Sequence, residues 1–132
     1  MKGLSTHISK AVTIGSVLTC ADNSGAKTLM MIGRIGKSGK RGKLVTAGIG
    51  NIIMASVKTG DQKNVKKIVR AIIIRQKQPI RRANGKRVKF EDNAAILISD
   101  TDLPIGTEVK GAMAREVVER NIKLAGLASR VI

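Results

Sequence analysis

The feature that most constrains the fold is a series of short segments rich in β-branched and small residues, separated by clusters of turn formers. Segments of this length and composition are typical of β-strands, and Asn, Asp and Gly clusters are typical of the tight turns between them. The series predicts a closed or nearly closed β-barrel. The predicted strands cover residues 12–21, 26–34, 49–58, 65–77 and 94–99.

Two of these patterns are specific. The run Ile72-Ile73-Ile74 indicates a strand that is covered on both faces. Within residues 80–90, the pair Asn84-Gly85 is the strongest short-range hairpin signal, and both arms around it are rich in Arg and Lys. This segment is therefore predicted to form a basic β-ribbon.

The pattern changes after a predicted turn at residues 100–104. Apolar residues between 114 and 125 fall at helical spacing, and Gly126 is expected to interrupt the helix and leave a second short helix at 127–131. Glu116 precedes Arg120, and Glu119 precedes Lys123, by the four residues that favour surface ion pairs. We expect one domain over residues 1–132, with the barrel and basic loops in 1–99 and a helical segment in 100–132.

Charge is distributed very unevenly along the chain. Residues 1–90 contain twenty Lys and Arg against two acidic residues, whereas residues 91–132 contain five basic and seven acidic residues. Solubility alone would be served by scattered charges of both signs, so the asymmetry indicates a polyanion partner. An anionic membrane is the other polyanion to consider. No stretch approaches the roughly 20 apolar residues of a spanning helix and no signal-peptide core is visible, so a cytoplasmic protein is expected.

The scarcity of aromatic residues restricts the kind of nucleic acid that could be bound. Phe90 is the only aromatic residue, so bases cannot be stacked on several rings as in RRM or cold-shock domains. Cys20 and His7 are the only Cys and His, which excludes a zinc finger and an internal disulfide. The sequence favours folded RNA that is recognised through its backbone and shape.

Catalytic motifs fail when their spacing is tested. Gly36-Lys37-Ser38 resembles the end of a phosphate-binding P-loop, but Met31 stands where the first glycine is required. Cys20 is predicted to be a small buried residue, because no base is positioned to activate it. We therefore expect no enzyme, no metal, no cofactor and no small-molecule substrate. The glycine-rich cationic run at residues 36–43 is instead predicted to be an exposed loop that approaches phosphates.

Three ordered motifs resemble one family. Residues 20–27 (CADNSGAK), 71–76 (AIIIRQ) and 90–94 (FEDNA) are similar to the large-subunit ribosomal protein family that is numbered fourteen in the universal nomenclature. The resemblance runs from about Ile14 to the C-terminus, and the run Arg75-Gln76-Lys77 is closer to the archaeal and eukaryotic branch than to the bacterial one.

The resemblance implies a mainly β fold: a five-stranded β-barrel with a projecting β-ribbon and short C-terminal helices. It also implies a structural role in the cytoplasmic large ribosomal subunit. The implied partners are large-subunit ribosomal RNA, small-subunit RNA at the subunit interface and neighbouring large-subunit ribosomal proteins. In the archaeal and eukaryotic branch, the C-terminal segment is further implied to dock the subunit anti-association factor numbered six.

Charge and resemblance together give two sets of candidate residues. The expected RNA-binding residues are Lys27, Arg34, Lys37, Lys40, Arg41, Lys43, Lys66, Lys67, Arg70, Arg75, Lys77, Arg81, Arg82, Lys86, Arg87 and Lys89. The expected protein-docking residues are Arg115, Glu116, Glu119, Arg120, Lys123 and Arg130. The alternative function is a free-standing basic β-barrel chaperone of nucleic acids, which would bind many unrelated duplexes.

Overall fold

A closed five-stranded barrel forms the centre of the computed structural model, which describes residues 6–36 and 39–132. The barrel order is β2-β3-β5-β6-β9, antiparallel except where β9 closes onto β2 in parallel. The predicted five-stranded barrel is confirmed. The elements in chain order are β1 (Val12–Thr13), β2 (Val17–Cys20), β3 (Ala26–Arg34), β4 (Thr46–Ala47), β5 (Ile52–Gly60), β6 (Ile68–Arg75), β7 (Ile80–Arg81), β8 (Arg87–Val88), β9 (Ala94–Ile98), β10 (Val109–Met113), α1 (Arg115–Arg120), a 3-10 helix (Ile122–Leu127) and β11 (Ala128–Val131).

The barrel core follows the alternation of the strands. Ile53, Ala55 and Val57 on β5 are each at most 1 % exposed, as expected for alternate residues on one face of a strand. Ile72, Ile73 and Ile74 on β6 are all fully buried, as predicted. The chain runs beside the end of β6 near residues 50 and 114, where the Gly50 N–H donates to Ile73 O and the Ala114 N–H donates to Ile74 O.

Strand direction divides the connections between two ends of the barrel. Because β5 is antiparallel to both β3 and β6, the chain leaves β3 and β6 at the same end. We call this the hairpin end, which consists of residues 35–51 and 76–93. The opposite end, the turn end, consists of residues 21–25, 61–67 and 99–104.

The predicted hairpin is present at the hairpin end. β7 and β8 pair through Ile80 with Val88 and Arg81 with Arg87. The Arg82 N–H donates to Lys86 O at 2.9 Å, and Gly85 has a φ of +83°, a conformation that glycine adopts at little cost. The amide of Gln76 donates to Ser9 O at 2.8 Å and so ties the N-terminal arm to the base of the hairpin.

Three sequence predictions were wrong. The segment 12–21 is not one strand, because Gly15 turns the chain at a φ of +87° and separates β1 from β2. Residues 128–131 form β11 rather than a second α-helix, and β11 pairs in parallel with β10. The α-helix ends at Asn121 rather than at Gly126, since Asn121 is extended and its side chain accepts the Lys123 N–H of the next turn.

Candidate nucleic-acid interface

The glycine-rich loop presents cations at the hairpin end. Lys40, Arg41 and Lys43 are exposed, and the Lys43 N–H donates to Lys40 O at 2.9 Å to close a tight turn. Lys37 lies outside the residues that the structure describes. The described part of this loop therefore has the exposure that phosphate contact requires.

The hairpin adds a second set of cations at the same end of the barrel. Its members are exposed and project from the two short arms and from the segments that lead into and out of them. The N-terminal arm lies beside them, because His7 forms a β-bridge with Arg81. The glycine-rich loop and the hairpin, which are distant in sequence, thus both contribute cations to the hairpin end. The exposed hairpin cations are Lys77, Arg81, Lys86, Arg87 and Lys89.

A separate cationic group lies at the turn end. Lys27, Lys66 and Lys67 are exposed there, where the Lys66 N–H donates to Val57 O at 2.9 Å. Sequence reasoning placed these residues in one list with the hairpin cations, but the strand directions put them at the opposite end of the barrel. Lys58 and Lys63 are also exposed in this region and were missed, although the turn formers around Lys63 could have indicated its exposure.

Three predicted RNA-binding arginines are occupied by internal ion pairs. Arg70 contacts Asp102 at 2.9 Å, Arg75 contacts Asp92 at 2.6 Å, and Arg82 contacts Glu116 at 2.8 Å. Their side chains are only 23 %, 12 % and 10 % exposed. Acidic residues of the C-terminal third hold these three guanidinium groups, which leaves few of their donors free for phosphate, and their RNA-binding role stays a prediction.

Arg34 and Arg120 lie close to each other beside the hairpin end. The Arg34 guanidinium donates to Thr46 O at 3.4 Å, and that of Arg120 donates to Gly50 O at 3.5 Å. Burial lowers the pKa of Arg34, and the neighbouring Arg120 cation lowers it further. Neither arginine forms an ion pair with a carboxylate in the part of the chain that the structure describes. Arg120 therefore adds charge beside the hairpin end, although sequence reasoning assigned it to protein docking.

The C-terminal segment retains a smaller exposed surface. Arg115 and Glu119 form an exposed pair at 3.2 Å, which replaces the two helical pairs predicted from the sequence. Lys123 and Arg130 are also exposed. Glu116 is corrected: its side chain is 0 % exposed and is therefore inaccessible to a docking partner.

Comparison with known proteins identifies the family. A family model described as "Ribosomal protein L14p/L23e" matches residues 11–132. The chain belongs to this family. It is 44 % identical to the large ribosomal subunit protein uL14 of Halorubrum lacusprofundi, 43 % to that of Methanothrix thermoacetophila and 40 % to that of Halobacterium salinarum, over 132 residues and 100 % of both chains in each case.

Family membership confirms the resemblance and its archaeal character. This is a family of structural ribosomal proteins and not of enzymes. Within the described ranges, no group of three or more His, Cys, Asp and Glu side chains could hold a metal ion, and no helix is long and apolar enough to cross a membrane. Burial and a hydrogen bond to Asp22 raise the pKa of the Cys20 thiol to about 12, which keeps the thiol protonated at neutral pH.

Proposed function

We propose that this protein holds large-subunit ribosomal RNA by neutralising phosphates at the hairpin end of its barrel. As a member of its family, it is a structural component of the cytoplasmic large ribosomal subunit. The observation that carries the proposal is the convergence of two separate basic elements, the 39–43 part of the loop and the hairpin, at one end of the barrel.

The chemistry of this end favours backbone contacts over base stacking. Phe90, the single aromatic residue, is only 8 % exposed and so offers little ring surface to a base. Exposed Lys and Arg side chains displace counterions from phosphates, which gives affinity without sequence readout. Such contacts suit RNA helices whose packing the protein stabilises.

The turn end is proposed to contact small-subunit RNA at the interface between the subunits. Its exposed lysines lie at the end of the barrel opposite the hairpin, so a protein that is anchored through the hairpin can present them to a second RNA. The lysines proposed for this role are Lys27, Lys58, Lys63, Lys66 and Lys67.

The C-terminal segment is proposed to dock neighbouring ribosomal proteins and the subunit anti-association factor. Arg115, Glu119, Lys123 and Arg130 are its exposed charged positions, and Ile122 between them is 81 % exposed. A segment that exposes an apolar side chain together with charges of both signs has a common composition for a protein-binding surface.

Sedimentation of tagged protein from cells tests the ribosomal role against the chaperone alternative. We expect co-migration with the large subunit that persists after a high-salt wash, because many phosphate contacts act together in a folded RNA site. A salt-released pool spread over all nucleic acid would contradict the ribosomal role and favour a free-standing chaperone.

A further inference from the structure

The buried carboxylate of Glu116 contacts the basic hairpin rather than solvent. Its side chain is 0 % exposed, and Arg82 donates to both of its oxygens, from Nε at 2.8 Å and from Nη2 at 3.2 Å. The Thr6 hydroxyl also donates to Oε1 at 3.3 Å. This forked arrangement fixes the plane of the guanidinium as well as its position.

Arg82 connects three separate parts of the chain. Its Nη2 also donates to the backbone oxygen of Ile132 at 2.7 Å, and that oxygen accepts the Arg115 N–H at 2.8 Å. Arg82 itself opens the hairpin turn, where its carbonyl accepts the Gly85 N–H at 3.0 Å. The Arg82 side chain therefore anchors the first residue of the turn that leads to Lys86.

The strand pairing of the hairpin is short. β7 and β8 contain two residues each, and an isolated two-stranded ribbon is only marginally stable in water. Ile80 is fully buried and anchors the base of the hairpin in the core, whereas Lys86 and Arg87 are exposed. A buried ion pair adds little net stability compared with apolar packing, but it does define a geometry. The ion pair of Arg82 with Glu116 therefore supplies an orientation to the turn beyond this anchored base.

We propose that Glu116 is a positioning residue for RNA binding, which holds the basic hairpin in its binding orientation through Arg82. The inference rests on the proposed function, since it assumes that the hairpin contacts ribosomal RNA. Under this inference, Glu116 increases the affinity for RNA although it is an acidic residue of the C-terminal segment.

The sign of the effect separates this inference from simple electrostatics. Removing a negative charge from a basic protein should strengthen its attraction to RNA. If Glu116 positions the hairpin, Glu116→Gln weakens binding instead, because Arg82 loses its charged acceptor and the hairpin cations lose their alignment.

The test measures binding of the full chain to a transcript of large-subunit ribosomal RNA over a range of salt concentrations. We expect Glu116→Gln to weaken binding severalfold and to lower the salt dependence. The matched control Glu119→Gln removes the same charge from an exposed pair and should bind as tightly as the unchanged protein or slightly more tightly. Binding by Glu116→Gln as tight as by Glu119→Gln would overturn the inference.

A double-mutant cycle distinguishes positioning from a general loss of structure. With Lys86→Gln and Arg87→Gln already present, Glu116→Gln should cause little further loss of affinity, because its effect passes through those hairpin cations. An equal loss of affinity in both backgrounds would show a general structural role and would overturn the inference.

A charge-preserving pair covers the case in which Glu116→Gln does not fold. Arg82→Lys keeps the charge but loses the fork, whereas Arg115→Lys makes the same change in the exposed pair with Glu119, outside the hairpin. We expect only Arg82→Lys to weaken binding, and equal binding by both variants would overturn the inference. If the unchanged protein binds this transcript no better than an unrelated duplex, the proposed function fails, and the inference fails with it.

Discussion

At the scale of single residues, the buried polar groups were the hardest to predict. Asp22 is only 6 % exposed, and its carboxylate accepts the Leu97 N–H at 2.8 Å and the Ser24 N–H at 3.2 Å. The turn formers between the first two predicted strands do connect β2 to the antiparallel strand β3. The bond to Leu97 spans 75 residues, and no local pattern indicates a partner so far along the chain.

Replacement of Asp22 by alanine should destabilise the fold. The Leu97 N–H would be left buried without its acceptor, which costs about 1–3 kcal/mol. Urea denaturation measures this destabilisation directly. Asp100→Ala is the control, because the Asp100 side chain is 97 % exposed and its removal should change stability by less than about 0.5 kcal/mol. Equal effects of the two substitutions would contradict the assigned role of Asp22.

The Cys20 thiol makes stability fall at alkaline pH. Its pKa in the folded protein is raised from 9.0 to about 12, first by burial and then by the hydrogen bond to Asp22. Above pH 9.0 the unfolded chain releases this proton while the folded chain retains it, so this contribution to stability disappears as the pH rises toward about 12. Denaturation from about pH 8 to about pH 11 should show a shallower decline for Cys20→Ala than for the unchanged protein. Identical slopes would contradict the buried state of the thiol.

At the scale of elements, the approach of two glycines determines how β3 and β5 meet at the turn end. A Cβ at Gly60 would lie 2.5 Å from the backbone oxygen of Gly25 and 2.9 Å from the Cα of Ala26. Gly60 also has a φ of +144°, which side chains other than hydrogen rarely tolerate. The close backbone approach explains the glycine at position 60, and a φ of +99° explains the glycine at position 25.

Alanine substitutions at two strand glycines test this explanation. Gly60→Ala should destabilise the protein by more than about 1 kcal/mol, because rigid backbone atoms would have to move. Gly33→Ala in β3 should be tolerated, since a Cβ there meets no atom within 4 Å. The measurement is the shift in the urea midpoint, and a larger shift for Gly33→Ala than for Gly60→Ala would refute the explanation.

The elements predicted well are those with a local signal. The limits of β3 and the Asn84-Gly85 hairpin follow from alternation and turn chemistry, and both were found as predicted. β10 and β11 were missed because neither segment alternates clearly, and their hydrogen-bond partners come from each other and, for β10, also from Ala21, whose carbonyl accepts the Lys110 N–H. Pairing between distant segments overrides local preference at this end of the chain.

At the scale of the whole molecule, the acidic C-terminal third neutralises part of the basic barrel and hairpin. Charge counting predicted a basic part for a polyanion, and the resemblance implied protein docking for the C-terminal part. It could not reveal that three arginines of the basic part are held by acids 17, 32 and 34 residues further along the chain. The cations that remain exposed, rather than the total charge, define the surfaces available to RNA.

The most direct test of the central claim compares two triple variants that remove equal charge from opposite ends of the barrel. One replaces Lys86, Arg87 and Lys89 at the hairpin end with glutamine, and the other replaces Lys27, Lys63 and Lys67 at or beside the turn end. The association constant K of each variant for a transcript of large-subunit ribosomal RNA is measured over a range of salt concentrations. A plot of log K against log salt has a negative slope. We predict that this slope becomes shallower only for the hairpin variant, by about 0.7 to 0.9 for each phosphate that the protein no longer neutralises. Equal falls in both variants would mean that net charge alone drives binding, and would contradict the assignment of the hairpin end to ribosomal RNA.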